Sequence, residues 1–352
     1  MSTFLKQVWY MAAWASEVVG DRPLARTIAD TPVVLFRDAD GQAIAMLDRC
    51  PHRFAPLSLG KVEQGRLRCG YHGLVFDPAG RCVENPFANV APAAACVPAY
   101  KVIEQDSIIW VWLGDAERAT PDSIPRYAFL VDPGMRNVYG YTASSANYEL
   151  LTDNLMDLTH ARFLHPDFGG ELYAPEHTWR SEGDVITSCY LVRDIPNPPL
   201  FELTFKAHGK NVDLWDDITW RAPACLYLDS GFKLTGRPRE EGSATPSAHI
   251  ITPETATTSH YFWASGNKLD NPMTDEELQN GLSQAFDHED KPMIEAVQRR
   301  MGSADFWSLK PVLLKTDAAA VIVRRVVQRR LKEEAEGVSS NTSLGKEVPK
   351  CE

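Results

Sequence analysis

The chain has 352 residues, 44% hydrophobic and 24% charged, with 36 Lys and Arg against 47 Asp and Glu for a net charge of −11. This balance is that of a globular protein of about two domains, at roughly 100–200 residues each, and excludes collagenous and disordered classes. The acidic excess argues against a dedicated nucleic-acid binder, which concentrates Lys and Arg, and no apolar run approaches the ~20 residues of a membrane span.

Short strands are predicted over 31–36, 43–47, 74–76 and 107–112, separated by the turn signals Asp40-Gly41, Asp77-Pro-Ala-Gly80 and Gly114-Asp115. They imply a small antiparallel β domain over residues 1–118, with Trp110 and Trp112 on one sheet face as core residues. The stretch 114–133, with three prolines and alternating charges, is the expected junction. A helix follows over 147–163, then strands over 185–192, 217–228, 248–252 and 259–263, then helices over 275–300 and 317–336. Residues 119–332 are thus expected to form a larger α+β domain. From 333 to 352 the composition predicts a disordered tail. The N-terminus has no basic segment followed by a clean apolar one, so a cytoplasmic protein is expected. Seven cysteines at irregular spacing argue against a disulfide scaffold.

Two constellations carry chemistry. Cys50-Pro-His52 and Cys69-Gly-Tyr-His72 give two short loops, each offering one thiolate and one imidazole to a shared centre. Pro51 stiffens one loop, while Gly70 and Gly73 let the other bend closely. A structural zinc ion accepts such a donor set. A Rieske [2Fe–2S] cluster accepts it too, with both thiolates on one iron and both imidazoles on the other. The spacing favours the cluster, because zinc fingers usually pair cysteine with cysteine and histidine with histidine. Further on, Asp153, Asp157, His160 and His165 lie within thirteen residues. Asp153, Asp157 and His160 would share a helix face, whereas His165 falls about 140° round from His160. Both histidines can meet one ion only if the helix distorts or ends between them, an ending supplied by Pro166 and Gly169-Gly170. Two histidines and a remote carboxylate make the facial triad of non-haem Fe(II) oxygenases, and the bland alternative is a surface helix end. An iron oxygenase needs electrons that a [2Fe–2S] cluster relays, so each constellation gives the other a purpose.

On these motifs, together with Val8-Trp-Tyr-Met-Ala-Ala13, Ile109-Trp-Val-Trp112, Ile251-Thr-Pro-Glu-Thr255 and His288-Glu-Asp-Lys291, the chain resembles the oxygenase component of a Rieske non-haem iron oxygenase. The similarity is to the vanillate and dicamba O-demethylase branch, in order over residues 4–332. The resemblance implies an N-terminal all-β Rieske domain and an α+β catalytic domain of helix-grip type. It makes Cys50, His52, Cys69 and His72 the cluster ligands, and His160, His165 and Asp290 the ligands of a mononuclear Fe(II). Seven carboxylates crowd 275–295, so only the resemblance selects Asp290. Asp157 is implied as the carboxylate carrying electrons between subunits, hence a homotrimer. Asn154 is a residue beside the iron ligands or a bland helix-face amide. His249 is a polar substrate contact or a structural strand histidine.

The implied reaction uses O2 and electrons from a separate NAD(P)H-dependent ferredoxin or flavin reductase, since this chain has no G-x-G-x-x-G of its own. The expected substrate is a small aromatic compound, with O-demethylation of a methoxybenzoate-type ether to a phenol and formaldehyde. Methyl hydroxylation or ring dihydroxylation are alternatives within the class. A pure electron carrier or a zinc-stapled binding module is the alternative outside it. Neither nucleic acid nor a membrane is an expected partner. Dicamba-type enzymes carry a bulky aromatic nine residues before the aspartate; here that position is Gly281, which implies a differently shaped pocket. The arginine-rich segment 321–331 reads as a packed terminal helix whose basic outer face, with Arg325 and Arg329, helps dock an acidic reductase domain.

Overall fold

The computed structural model describes residues 4–166, 170–198, 202, 204–303 and 305–337. They fall into two compact units, one running to Arg126 and including Thr252–Ala256, the other comprising Tyr127–Ile251 and the chain from Thr257 on.

The first unit is built of strands β1 (Trp9–Trp14), β2 (Leu24–Ile28), β3 (Thr31–Arg37), β4 (Ala43–Leu47), β5 (Lys61–Glu63), β6 (Arg66–Arg68), β7 (Val75–Phe76), β8 (Cys82–Glu84), β9 (Ala99–Gln105) and β10 (Ile108–Trp112). They form a six-stranded sheet in the order β1-β10-β9-β4-β3-β2 and a four-stranded sheet β5-β6-β7-β8. Trp110 and Trp112 are core residues, but every residue of β10 is buried, so period 2 does not divide this strand into an inner and an outer face. β1 is likewise buried along its whole length, and its run Trp-Tyr-Met-Ala-Ala-Trp shows no alternation by which to recognise a strand.

The second unit holds a seven-stranded antiparallel sheet of β11 (Met135–Ser144), β12 (Glu176–Glu182), β13 (Val185–Pro196), β14 (Asn211–Arg221), β15 (Cys225–Leu234), β16 (Ser243–Thr255) and β17 (Thr258–Lys268), in the order β11-β17-β16-β15-β14-β13-β12. With its helices it is the α+β arrangement expected. The single strand expected over 217–228 is two strands, because Pro223 lacks the N–H that a ladder needs and sits in the turn between β14 and β15.

The helices also depart from the pattern reading. The first, α1 (Tyr148–Met156), starts on an Asn147 cap whose side chain accepts from Glu149 N, and stops seven residues before 163. A 3-10 turn, Leu158–His160, and the short α2 (Ala161–Leu164) follow. The helix expected over 275–300 is α3 (Asp275–Ser283), a π-helical turn (Gln284–Asp290) and α4 (Lys291–Met301). A reciprocal Thr274–Glu277 capping box opens α3. The last helix, α5 (Ala318–Ala335), carries the chain three residues into the expected tail, and 338–352 lie outside the described residues. Among the described residues no helix is long and apolar enough to cross a membrane.

Candidate metal centres

In the first unit Cys50 follows β4 and Cys69 follows β6, and the two loops share one hydrogen-bond pattern. Cys50 N donates to Ala55 O and Phe54 N to Cys50 O, each at 2.8 Å; Cys69 N donates to Leu74 O at 2.9 Å and Gly73 N to Cys69 O at 3.0 Å. The fifth residue of each loop has positive φ, 60° at Phe54 and 76° at Gly73. Gly70 is required for close approach, since a Cβ there would lie 2.7 Å from Leu59 O.

This construction turns both sulfurs inward and both imidazoles outward. Cys50 and Cys69 are buried among Leu57, Leu67, Leu74 and Phe76, with their thiols in hydrogen-bonding reach of one another. Burial pushes the Cys50 thiol pKa up, opposed by the backbone N–H groups of His52 and Arg53 and reinforced by Cys69. His52 is exposed, and its ring lies edge-on to His72 with centroids 4.5 Å apart. Sulfur donors on one side and nitrogen donors on the other suit a two-iron cluster with segregated ligands.

In the second unit, α1 ends because Asp157 leaves helical conformation (φ −122°, ψ 92°). The Asp157 Oδ1 then caps the next turn, accepting from Thr159 N at 3.0 Å and Thr159 Oγ1 at 2.6 Å. The three-residue helix face expected for Asp153, Asp157 and His160 is therefore absent. His165 lies at the C-cap of α2 with φ −117° and ψ 73°, so the helix does end ahead of it. His160, His165 and Asp290 converge, with one donor atom from each lying within 4.8 Å of the others, and no other group of three or more His, Cys, Asp or Glu among the described residues does so. The Nε2 atoms of His160 and His165 are 3.4 and 3.3 Å from Asp290 Oδ1.

Each histidine is oriented through its other nitrogen. His160 Nδ1 lies 2.6 Å from Asp157 O, and His165 Nδ1 lies 2.7 Å from Glu289 Oε2, so both Nε2 atoms are left to face the aspartate. Burial disfavours the charge on Asp290, yet hydrogen bonds and charge from His160 and His165 outweigh it and hold the carboxyl at about 2. Burial equally opposes protonation of His165, but Asp290 and Glu289 raise its pKa. Asn154 Nδ2 donates to Asp290 Oδ1 at 3.1 Å and lies 3.4 Å from His160 Nε2. The donor set, two neutral-capable imidazoles and one ionised carboxylate on a shared point, fits a divalent iron with open positions. A cavity reaches Asp290 and is lined by Thr142, Ser144, Asn154, Leu155, Tyr261 and Phe286.

His249 is buried in β16, with Nδ1 2.6 Å from the Tyr261 hydroxyl and Nε2 without a hydrogen-bond partner. Burial pushes its pKa down to about 4 and that of Tyr261 well above 10, so both are neutral at pH 7. Tyr261 then donates to Nδ1, and the network assigns the proton of His249 to Nε2, an uncommitted donor. Pattern reading missed Glu289 and Tyr261. Glu289 was one of several nearby acids with nothing in its spacing to single it out, and Tyr261 reads as an ordinary strand residue. Of the basic face expected at Arg325 and Arg329, Arg325 is exposed but Arg329 pairs with Asp184 and Glu333, and the neighbouring Arg324 is buried against Asp153 and Glu149.

Residues 8–101 match the Rieske [2Fe-2S] domain family, and residues 144–333, more than half the chain, match the vanillate O-demethylase oxygenase C-terminal domain family. The chain is 39% identical to the oxygenase component of dicamba O-demethylase from Stenotrophomonas maltophilia, over 93% of this chain and 98% of that protein. It is also 39% identical to the oxygenase component of chloroacetanilide N-alkylformylase from Rhizorhabdus wittichii, over 94% and 97%. A crystal structure of dicamba monooxygenase with non-heme iron and dicamba superposes with a TM-score of 0.83 at 37% identity, covering 96% of this chain and all of that one. The chain belongs to the Rieske non-haem iron monooxygenases, as an oxygenase component of the vanillate O-demethylase type.

Proposed function

We propose that this oxygenase hydroxylates the methyl group of a small aryl methyl ether of the methoxybenzoate type, releasing a phenol and formaldehyde. The convergence of His160, His165 and Asp290 carries the reading, because a pure electron carrier has no use for a second donor set with open positions. Cys50, Cys69, His52 and His72 hold the [2Fe–2S] cluster in this reading, and the triad holds the iron. The quartet's two thiols buried together and its two imidazole rings edge to edge suit two irons with segregated ligands better than one zinc ion. The iron supplies the oxygen-activating chemistry, and the chain's own residues orient, bind and exclude water.

His249 offers its Nε2–H to a substrate acceptor, and Asn154 steadies Asp290 and His160. Asp157 engages only Oδ1 in its own turn, leaving Oδ2 for a partner subunit's cluster histidine in a homotrimer. Electrons come from a separate reductase. Residues 1–118 and 119–332 act as the electron-receiving and oxygenating domains. The two relatives of equal identity carry names that differ in the heteroatom concerned, so identity alone does not select an ether, and the glycine at 281, where dicamba-type enzymes carry a bulky aromatic, suits a substrate shape unlike dicamba.

The test is metal and sulfide analysis with EPR of the reduced protein, then a methoxybenzoate panel with NADH, a reductase and formaldehyde detection. The expected result is about three irons and two sulfides per chain with a Rieske signal, and formaldehyde from at least one ether. One zinc per chain without visible absorbance would sink the oxygenase reading. Full iron loading with diol products and no formaldehyde would replace demethylation by ring dihydroxylation.

A further inference from the structure

Asp153 belongs to the acidic string before the histidines, and Arg324 to the basic terminal helix, and neither is used by the reaction described above. They meet. Arg324, buried, sets Nε 3.0 and 2.9 Å from Asp153 Oδ1 and Oδ2, and Nη2 2.6 Å from Oδ2. Its Nη1 reaches Glu149 Oε2 at 3.1 Å, one turn earlier on α1, and the guanidinium lies 4.1 Å over the Phe306 ring. The planar fork therefore grips two successive turns of α1, a geometry that an ammonium cannot reproduce.

The residue after Asp153 is Asn154, whose amide touches Asp290 and His160 about 100° further round the same helix. The N-terminal end of α1 is tied to α4 by Ser145 N on Glu295 and Asn147 N on Gln298, each at 2.8 Å. Those bonds fix where the helix starts, its buried face of Tyr148, Leu150, Leu151, Leu155 and Met156 packs it, and the fork at Asp153 and Glu149 adds a directional polar restraint on its rotation. At roughly 5 Å from the helix axis, a 15° rotation moves the Asn154 amide by about 1.3 Å, enough to break a hydrogen bond.

We propose that Arg324 is a positioning residue of the mononuclear metal site: by forking onto Asp153 and Glu149 it sets the rotation of α1 and so the aim of Asn154 at Asp290 and His160. The inference rests on the reading that His160, His165 and Asp290 hold the metal.

The test uses the full protein with its cluster in place and the mononuclear site emptied by chelation, titrated with Co(II) and followed by its visible spectrum. Wild type, His160→Ala, Asn154→Ala, Arg324→Gln, Arg324→Lys and the Arg324→Gln/Asn154→Ala double variant are compared. The expected result is a loss of Co(II) affinity of about tenfold or more in Arg324→Gln, with the spectral change seen in Asn154→Ala. The double variant should bind no worse than Asn154→Ala, because both act through one amide. Arg324→Lys keeps a buried cation without the fork and should show the same spectral change, which preserves the test if the glutamine variant does not fold. A lowered melting temperature with affinity within twofold of wild type, or additive losses in the double variant, would overturn the proposal. If His160→Ala bound Co(II) like wild type, the reading of the triad would fail instead, a result distinguishable from both.

Discussion

Replacing Glu289 tests the metal centre without knowledge of the substrate. Its Oε2 lies 2.7 Å from His165 Nδ1, and its Oε1 accepts from Gln284 Nε2 at 3.2 Å. Glu289→Ala removes the carboxylate acceptor from the Nδ1–H of a buried imidazole, a cost of about 1–3 kcal/mol. Loss of the carboxylate also lowers the basicity of Nε2 and frees the ring to turn. Because the wild-type bond orients the ligand before metal arrives, most of that cost should appear in metal affinity, as a loss of about 10–100-fold. Glu289→Gln keeps an acceptor at the same place without the charge and should lose several-fold less. Fe(II) affinity is measured anaerobically by chelator competition, with the cluster's spectrum as the check on folding. An alanine variant that binds Fe(II) within twofold of wild type would refute the argument that the Glu289–His165 bond prepares the site.

If His249 is the proposed donor to substrate, His249→Phe should raise KM for the best aromatic acid by about tenfold or more while kcat changes less. With a pKa near 4, His249 stays neutral, so that KM should show no inflection attributable to it between pH 5.5 and 8. An unfolded histidine at about 6.5 binds a proton that buried His249 refuses, so stability falls as pH drops from about 6.5 towards 4. His249→Phe should lessen that fall by an amount on the order of 3 kcal/mol in denaturant titrations. Two glycines should respond oppositely in thermal unfolding. A Cβ on Gly140 would lie 1.9 Å from the Trp263 ring, so Gly140→Ala should destabilise by at least about 2 kcal/mol. Gly281 in α3 has open space, and Gly281→Ala should stabilise by about 0.5–1 kcal/mol.

The legible parts of this chain are those where chemistry leaves a local signature. The Cys50/His52 and Cys69/His72 loops were readable because thiol and imidazole at fixed spacing are rare in ordinary sequence. The α+β texture was readable from turn residues and period. What stayed hidden was non-local. β1 is buried along its whole length and shows no alternation, whereas β10, equally buried, was betrayed by its β-branched and aromatic run before Gly114. The π-helical turn at Gln284–Asp290 has no propensity signature, yet at its end lies the buried carboxylate that meets the histidines. Asp290 was recoverable only through family resemblance, because seven acids share its neighbourhood. Asp153 and Arg324 are 171 residues apart, and nothing in either segment announces the other.

The break at Asp157 separates two jobs that a continuous helix would have merged. Its backbone carbonyl orients His160 through Nδ1 at 2.6 Å, while its carboxylate caps the turn through Thr159. Substituting the side chain therefore leaves the histidine's tether in place. Asp157→Asn keeps an oxygen for the cap, so the turn should survive, and Fe(II) affinity should remain within about threefold of wild type. If the second carboxylate oxygen bridges to a neighbouring subunit's cluster, the same change removes the charged acceptor and should slow oxidation of the pre-reduced cluster in the presence of substrate and O2 by a factor on the order of 100. Rapid-mixing spectroscopy of the cluster reads that rate directly, separately from metal content. A parallel fall in both quantities would mean that Asp157 acts by holding His160, and the division of labour drawn from the break would be wrong. Loss of the rate with iron retained would assign the carboxylate to electron transfer and the carbonyl to the metal.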